Sequence, residues 1–325
     1  MPVVERLGIT VPFPDATLAE HRSWYADVRR AGYTDVWSAE VDGVDGFTPL
    51  ALAAAWEPEL SLGVAIAPAF TRGPALLAQS AAAMAEAAPG RFAFGLGTSS
   101  DVIVEHWNGI PFRHPYARVR DTLAFLRLAL SGEKVHAEFE TFSVRGFRLG
   151  RPPAVPPPLY LAALRPGMLR LAGREADGVI LNWLSADDVG TSIAEVRSGA
   201  GGAERAMEVV ARIFVVPERD PALARGIARR MIAAYLTVPA YAAFHRWLGR
   251  APLLQGMWDA WAAGDRKGAL GAIPDEVVDD LVVHGDPDAC RAHVARYVEG
   301  GVTVPVLMVV TAETPLRDAV VALAG

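Results

Sequence analysis

The chain carries a single cysteine, Cys290, among 325 residues, so no intrachain disulfide can form. The segment Asp286-Pro287-Asp288-Ala289-Cys290 reads as a helix start, and a lone thiol there reads as inert rather than nucleophilic. No apolar run reaches 18 residues, which excludes a membrane-spanning helix. Met1-Pro2-Val3-Val4-Glu5-Arg6 lacks the basic-then-apolar plan of a signal peptide, so the expected location is the cytoplasm. Basic charge is not in excess. The 31 Lys and Arg residues are outnumbered by 37 Asp and Glu, for a net charge of −6. That argues against duplex DNA, other nucleic acid or an anionic membrane as partner. There is no His-Glu-x-x-His, no cysteine cluster and no His-x-His strand end, so no metal site is expected. The Gly-x-Ser-x-Gly nucleophile elbow is also missing. The seven histidines, among them His106, His114, His245 and His284, are scattered. Neither an internal repeat nor a low-complexity tract occurs.

What is present is abundant apolar sequence, 52% of the residues. Short, nearly continuous apolar runs recur at 7–11, 35–38, 62–66, 92–96, 159–162, 178–181, 209–215 and 305–310. Such runs mark strands covered on both faces, hence a parallel sheet. Helical segments lie between them at 17–31, 74–88, 115–130, 166–173, 186–197 and 287–299. Several open on a proline and stop near a glycine. Eight strands with interleaved helices predict an α/β fold, a (β/α)8 TIM barrel, which needs about 250 residues. The excess falls in two insertions of one barrel domain spanning 1–325. The first, about 139–158, is read as a hairpin (Phe139 to Leu149, with Arg145-Gly146) followed by the stiff run Arg151 to Pro158; a domain linker is the other reading of those prolines. The second, about 231–273, holds Tyr235, Tyr241, Phe244, His245, Trp247, Trp258 and Trp261. Its aromatic density fits a helical lid over an apolar site, and equally a helical pair packing its own small core or a dimer interface.

In a barrel, function sits beyond the C-terminal ends of the strands. After the second run comes Ser38-Ala39-Glu40-Val41-Asp42-Gly43, whose carboxylates suit hydrogen bonding or proton transfer, or merely a solvated loop. After the third, Ala65-Ile66-Ala67-Pro68 lets backbone press against a flat ring, or makes an ordinary turn. After the fourth, Gly97-Thr98-Ser99-Ser100 offers close backbone approach and hydroxyls to a phosphate. It lacks the third glycine of a Rossmann fingerprint and the Gly-Lys-Ser of a P-loop. After the fifth, Leu164-Arg165-Pro166-Gly167-Met168 opens a helix whose N-terminus is a natural anion site beside Arg165. Asn108, Asn182 and Trp183 follow strands or a strand-end loop and are expected to face a ligand.

Three of these segments stand in a telling order: Leu62-Gly63-Val64-Ala65-Ile66-Ala67-Pro68, Pro89-Gly90-Arg91-Phe92-Ala93-Phe94-Gly95-Leu96-Gly97-Thr98, and Leu171-Ala172-Gly173-Arg174-Glu175-Ala176-Asp177-Gly178. The set resembles the luciferase-like flavin and deazaflavin oxidoreductases. The stretches Ser99 to Gly109 and Ile273 to Leu281 are similar to the actinobacterial branch that uses coenzyme F420. The Ala, Gly and Arg richness of the chain is consistent with a GC-rich genome. The resemblance implies a barrel with insertions and a non-prolyl cis peptide at Ala65-Ile66, with Ile66 backing the central ring. It implies that Glu40 receives the deazaflavin side chain. The cofactor phosphate would lie against Thr98, Ser99 and the backbone of Leu164, Arg165, Gly167 and Met168, with Ser100 also among the cofactor-binding residues. Where sugar-phosphate dehydrogenases of the family have a catalytic His and Glu, this chain has Val41 and Ser100, which speaks against sugar-phosphate oxidation.

The function implied is hydride exchange between the deazaflavin C5 and a small, partly apolar organic substrate, with reduction of C=C or C=N favoured over alcohol oxidation. Candidates for moving the accompanying proton are Glu40, His106, Asn108 (through a water) and His245. Trp183, Tyr235, His245 and Trp258 are expected to meet substrate, and Arg72, Arg113 and Arg165 the acidic tail of the cofactor. Two alternatives stand beside this: an FMN-dependent monooxygenase and a non-catalytic cofactor-binding relative. A homodimer is expected, packed through the Ala-rich helix at Ala75 to Met84, a helix that would equally pack on its own barrel.

Overall fold

A computed structural model describes residues 5–201 and 206–325. Residues 1–4, part of the segment read above for a targeting signal, lie outside the described residues. Eleven strands occur among those described: β1 (Gly8–Thr10), β2 (Asp35–Ser38), β3 (Ser61–Pro68), β4 (Phe92–Gly97), β5 (Val135–Glu138), β6 (Ser143–Phe147), β7 (Leu159–Ala162), β8 (Gly178–Asn182), β9 (Glu208–Val216), β10 (Val283–His284) and β11 (Val304–Val309). Eight of them, β1–β4, β7–β9 and β11, pair in parallel around a closed ring, with β8–β9, β9–β11 and β11–β1 completing the circuit. The chain is a (β/α)8 barrel, and each expected barrel strand forms within a few residues of its apolar run. The two-residue β10 adds to the outer end of β9.

The reason is two-sided burial. Trp37, Tyr160, Ile180, Val210 and Val306 fill the inside of the barrel. Alternate residues of the same strands, such as Val36, Leu161 and Leu307, pack outward on the helices. Purely apolar runs are what such strands require. A register shift between Val64 and Ala67 bulges β3 against β4. The bulge comes so close that a Cβ on Gly95 would lie 2.2 Å from the Val64 carbonyl oxygen, which only glycine tolerates.

Details differ from the sequence reading. The antiparallel pair is β5 with β6, so the turn lies at 139–142 and Arg145-Gly146 falls inside the second strand. The expected helix at 17–31 runs from His21 to Ala31. The one at 186–197 opens as a short 3-10 turn, Ala186–Asp188, before Val189–Gly199. Between β9 and β10 stand helices Pro221–Leu236, Pro239–Trp247, Ala251–Ala262, Arg266–Gly271 and Asp275–Leu281. They share a second core built on Leu236, Leu254, Met257 and Trp258. Arg250 ties this group to the barrel: it donates to Asp188 Oδ2 at 2.7 Å and to Ser185 Oγ at 2.9 Å, all three being buried. Among the described residues no helix is long and apolar enough to cross a membrane.

Candidate active site

The strand ends and the helices after β9 enclose a cleft of two connected parts. The inner part, about 430 Å³, lies over the barrel mouth. Its walls come from Glu40 and Val41 after β2, Ala65 and Ile66 in the β3 bulge, Ile180 and Asn182 on β8, and Arg212 on β9. Tyr235, Val238 and Tyr241 close it from the helical side. The outer part, about 920 Å³, is lined by Asp101, Tyr116, Arg165, Gly167, Met168 and Trp247. Thr98, Ser99, Ser100 and Leu164 line both parts.

Each wall follows from its local sequence. The Ala65–Ile66 peptide is cis; both residues sit at the bulge and line the inner cavity. Gly97 does not line either part. A Cβ there would stand 2.9 Å from Ile66 Cγ1 and 3.2 Å from Ala162 Cβ, so its role is to leave room for Ile66. Ser99 takes the left-handed conformation, φ +62°, and turns the chain into a π-helical segment, Val102–Trp107. The helix Pro166–Glu175 begins with Arg165 extended and Pro at its first position. Its first turn points an electropositive helix end at the outer cavity.

Glu40 is partly occupied. Its Oε1 receives Arg72 Nη2 at 2.6 Å, Arg72 Nε at 3.0 Å and the Gly46 amide at 3.2 Å. Its Oε2 has no partner among the described residues. Arg72, expected at the cofactor tail, is held by Glu40 and stacked 4.8 Å over Phe47. Arg113 lines a separate cavity of about 350 Å³ with His114 and Arg118. Arg165 is exposed at the outer cavity.

The histidine candidates lie elsewhere. His106 and Asn108 are exposed beyond the cavity lining, and Asn108 Nδ2 donates to the Ile103 carbonyl at 2.7 Å. His245 is fully buried and lines neither part. Burial, with Arg250 nearby, pulls its imidazole down to about 4. Neither ring nitrogen reaches a partner in hydrogen-bond geometry, although the Trp183 backbone comes near. A neutral, sealed imidazole does not exchange protons with the cleft. Trp258 is also away from it, donating its indole N–H to Leu236 O at 2.9 Å inside the helical core. Trp183 stands behind the wall, stacked on Phe214 at 4.0 Å and against Tyr235 at 4.9 Å. Of the four residues expected to meet substrate, only Tyr235 lines the inner cavity.

Two wall residues carry polar atoms the sequence reading did not single out together. Asn182 Nδ2 donates to Tyr241 Oη at 2.9 Å, and burial pushes that phenol up to about 12. Arg212 was legible only as a lone charge inside the apolar strand Val209 to Val215. Asn182 Oδ1 and Arg212 Nε are both buried without a partner among the described residues. Cys290 is buried, and burial pushes its thiol up to about 12. Among the described residues no three His, Cys, Asp or Glu side chains are grouped to hold a metal.

Residues 6–304 match the family described as luciferase-like monooxygenase. The chain belongs to this family. It is 28% identical over 279 residues to 5,10-methylenetetrahydromethanopterin reductase of Methanolobus tindarius, covering 84% of each chain. It is 28% identical over 316 residues, 90% of each chain, to a Mycobacterium tuberculosis protein provisionally named a coenzyme F420-dependent oxidoreductase. The solved structure of the coenzyme F420 dependent tetrahydromethanopterin reductase from Methanopyrus kandleri superposes with a TM-score of 0.79 at 20% identity. It covers 98% of this chain and 97% of that one. In (β/α)8 barrels active sites lie at the C-terminal ends of the strands, the end at which this cleft opens.

Proposed function

We propose that this luciferase-like protein is an F420-dependent oxidoreductase acting on a small, partly apolar organic substrate, with reduction of a C=C or C=N bond favoured. The observation that carries the reading is the two-part cleft: an apolar slot against Ala65–Ile66 that runs into an electropositive helix end at Arg165–Met168. A flat tricyclic ring with a phosphate-bearing side chain fits that sequence of surfaces. The name of the Mycobacterium tuberculosis relative supports the choice of cofactor.

When bound, F420 supplies a hydride donor or acceptor at C5 of its deazaflavin. The chain supplies position and dryness. Ala65 and Ile66 would back the ring. Thr98, Ser99, Ser100 and the helix start at Leu164, Arg165, Gly167 and Met168 would hold the phosphate. Glu40 Oε2 and the Tyr241 hydroxyl, both on the inner wall, would accept or give the accompanying proton. Tyr235, Val238 and Tyr241 shield the slot from water. A homodimer through the Ala-rich helix Pro74–Ala87 belongs to the same reading, since Leu76 on that helix is 47% exposed.

The test is a fluorescence titration of the purified protein with F420 and, in parallel, with FMN. F420 binding in the micromolar range or tighter, with much weaker FMN binding, supports the proposal. The reverse preference favours an FMN-dependent monooxygenase, and binding of neither removes the phosphate assignments. Tight F420 binding with no change in its absorbance across a substrate panel would make the chain a non-catalytic carrier.

A further inference from the structure

Arg212 is an anomaly in its strand. Its neighbours on β9, Ala211 and Ile213, are fully buried and apolar. Asn182 is its register partner on β8, and both line the inner cavity. Its Nε is buried with no hydrogen-bond partner, and no carboxylate among the described residues pairs with it. Glu40, which lines the same cavity, holds Arg72 through Oε1 and forms no ion pair with Arg212. The guanidinium is nevertheless fixed: it lies 5.2 Å over the Phe214 ring, which stacks on Trp183 at 4.0 Å.

A cation in a largely apolar wall is costly unless something pairs with it. Here no described residue pairs with the cation, which points to a ligand as the source of the counter-charge. The phosphate of the proposed cofactor is accounted for at the other end of the cleft. Arg165 and the helix start line the outer cavity, which Arg212 does not reach. The surfaces beside Arg212 are the rings of Tyr235 and Tyr241, set edge to face at 5.8 Å.

We infer that Arg212 anchors a carboxylate of the substrate, which is an organic acid with a flat, apolar body lying along Tyr235 and Tyr241. Asn182, oriented by Tyr241, forms the rest of the polar end. The inference deepens the F420 reading and rests on it for the word substrate. The binding claim stands on the cavity alone.

The experiment is calorimetric titration of the full-length protein with benzoate, cinnamate and 3-phenylpropanoate, each beside its neutral amide. Wild type, Arg212→Gln and Arg212→Lys are compared, and F420 is titrated separately into each. At least one acid should bind wild type about tenfold or more tightly than its amide. R212Q should abolish that preference, and R212K should keep part of it. F420 affinity should change less than about threefold in R212Q. If no acid outbinds its amide, or if R212Q retains the preference, the anchor is wrong. It is equally wrong if R212Q weakens F420 as much as the acid, for Arg212 then serves the cofactor. Acid preference through Arg212 with no F420 binding at all supports the anchor and overturns the cofactor reading instead.

Discussion

His245 offers a measurement that separates a buried structural imidazole from a proton carrier. Its side chain is fully buried, and its pKa falls from 6.5 to about 4 because burial disfavours the charged form. In the unfolded chain it titrates near the ordinary value. Below that value the unfolded state binds a proton that the folded state refuses, so stability is lost as pH falls toward 4. At about 1.4 kcal/mol per unit, this one group removes roughly 2 kcal/mol by about pH 5 and about 3 kcal/mol at full protonation. His245→Leu should abolish its share. The assay is urea unfolding of wild type and H245L at about pH 7.5, 6 and 5, with H245Q as a second non-titrating variant. The quantity compared is the difference in pH slope. His293, which burial also lowers to about 4, titrates in both proteins and cancels. H245L should lose about 2 kcal/mol less than wild type between the extremes of that range. Parallel pH profiles would show that His245 titrates normally in the fold, and the description of a sealed, neutral imidazole would fail.

Gly97→Ala should push Ile66 out of place, because the added methyl would stand 2.9 Å from its Cγ1. F420 affinity is expected to drop about tenfold for a stability loss of roughly 1–3 kcal/mol; unchanged F420 affinity in the titration refutes the backing role of Ile66. Trp258→Ala empties the helical core rather than the cleft. It should cost about 3–5 kcal/mol in urea unfolding while leaving F420 and acid affinities within about twofold. A selective loss of ligand affinity would return Trp258 to the substrate site.

The barrel was legible because its cause is local. Eight apolar runs at parallel-sheet length, separated by capped helices, have one economical closure. The strand ends were legible for the same reason: once the strands are placed, Glu40, Ala65-Ile66, Thr98-Ser99-Ser100 and Leu164 to Met168 must share one end of the barrel. The structure gathers those segments around one cleft. What no local pattern carries is which aromatic side faces inward. Tyr235 and Trp258 occupy similar apolar helical stretches, yet one lines the cavity and the other donates to Leu236 O inside a separate core. That choice depends on how five helices pack against Trp183 and Phe214. His245 misleads in the same way, since a histidine beside aromatics reads alike whether exposed to a ligand or sealed.

The barrel, its closure and the gathering of the strand-end loops at one mouth can be read from the chain alone, because hydrophobic periodicity and helix caps act over a few residues. The fold alone shows that Gly97 leaves room for Ile66, that Arg72 is held by Glu40, and that Arg212 stands beside Asn182 with no ion-pair partner among the described residues. These are relations between residues far apart in the chain. They come into being when the ring of strands closes, and no local propensity encodes them.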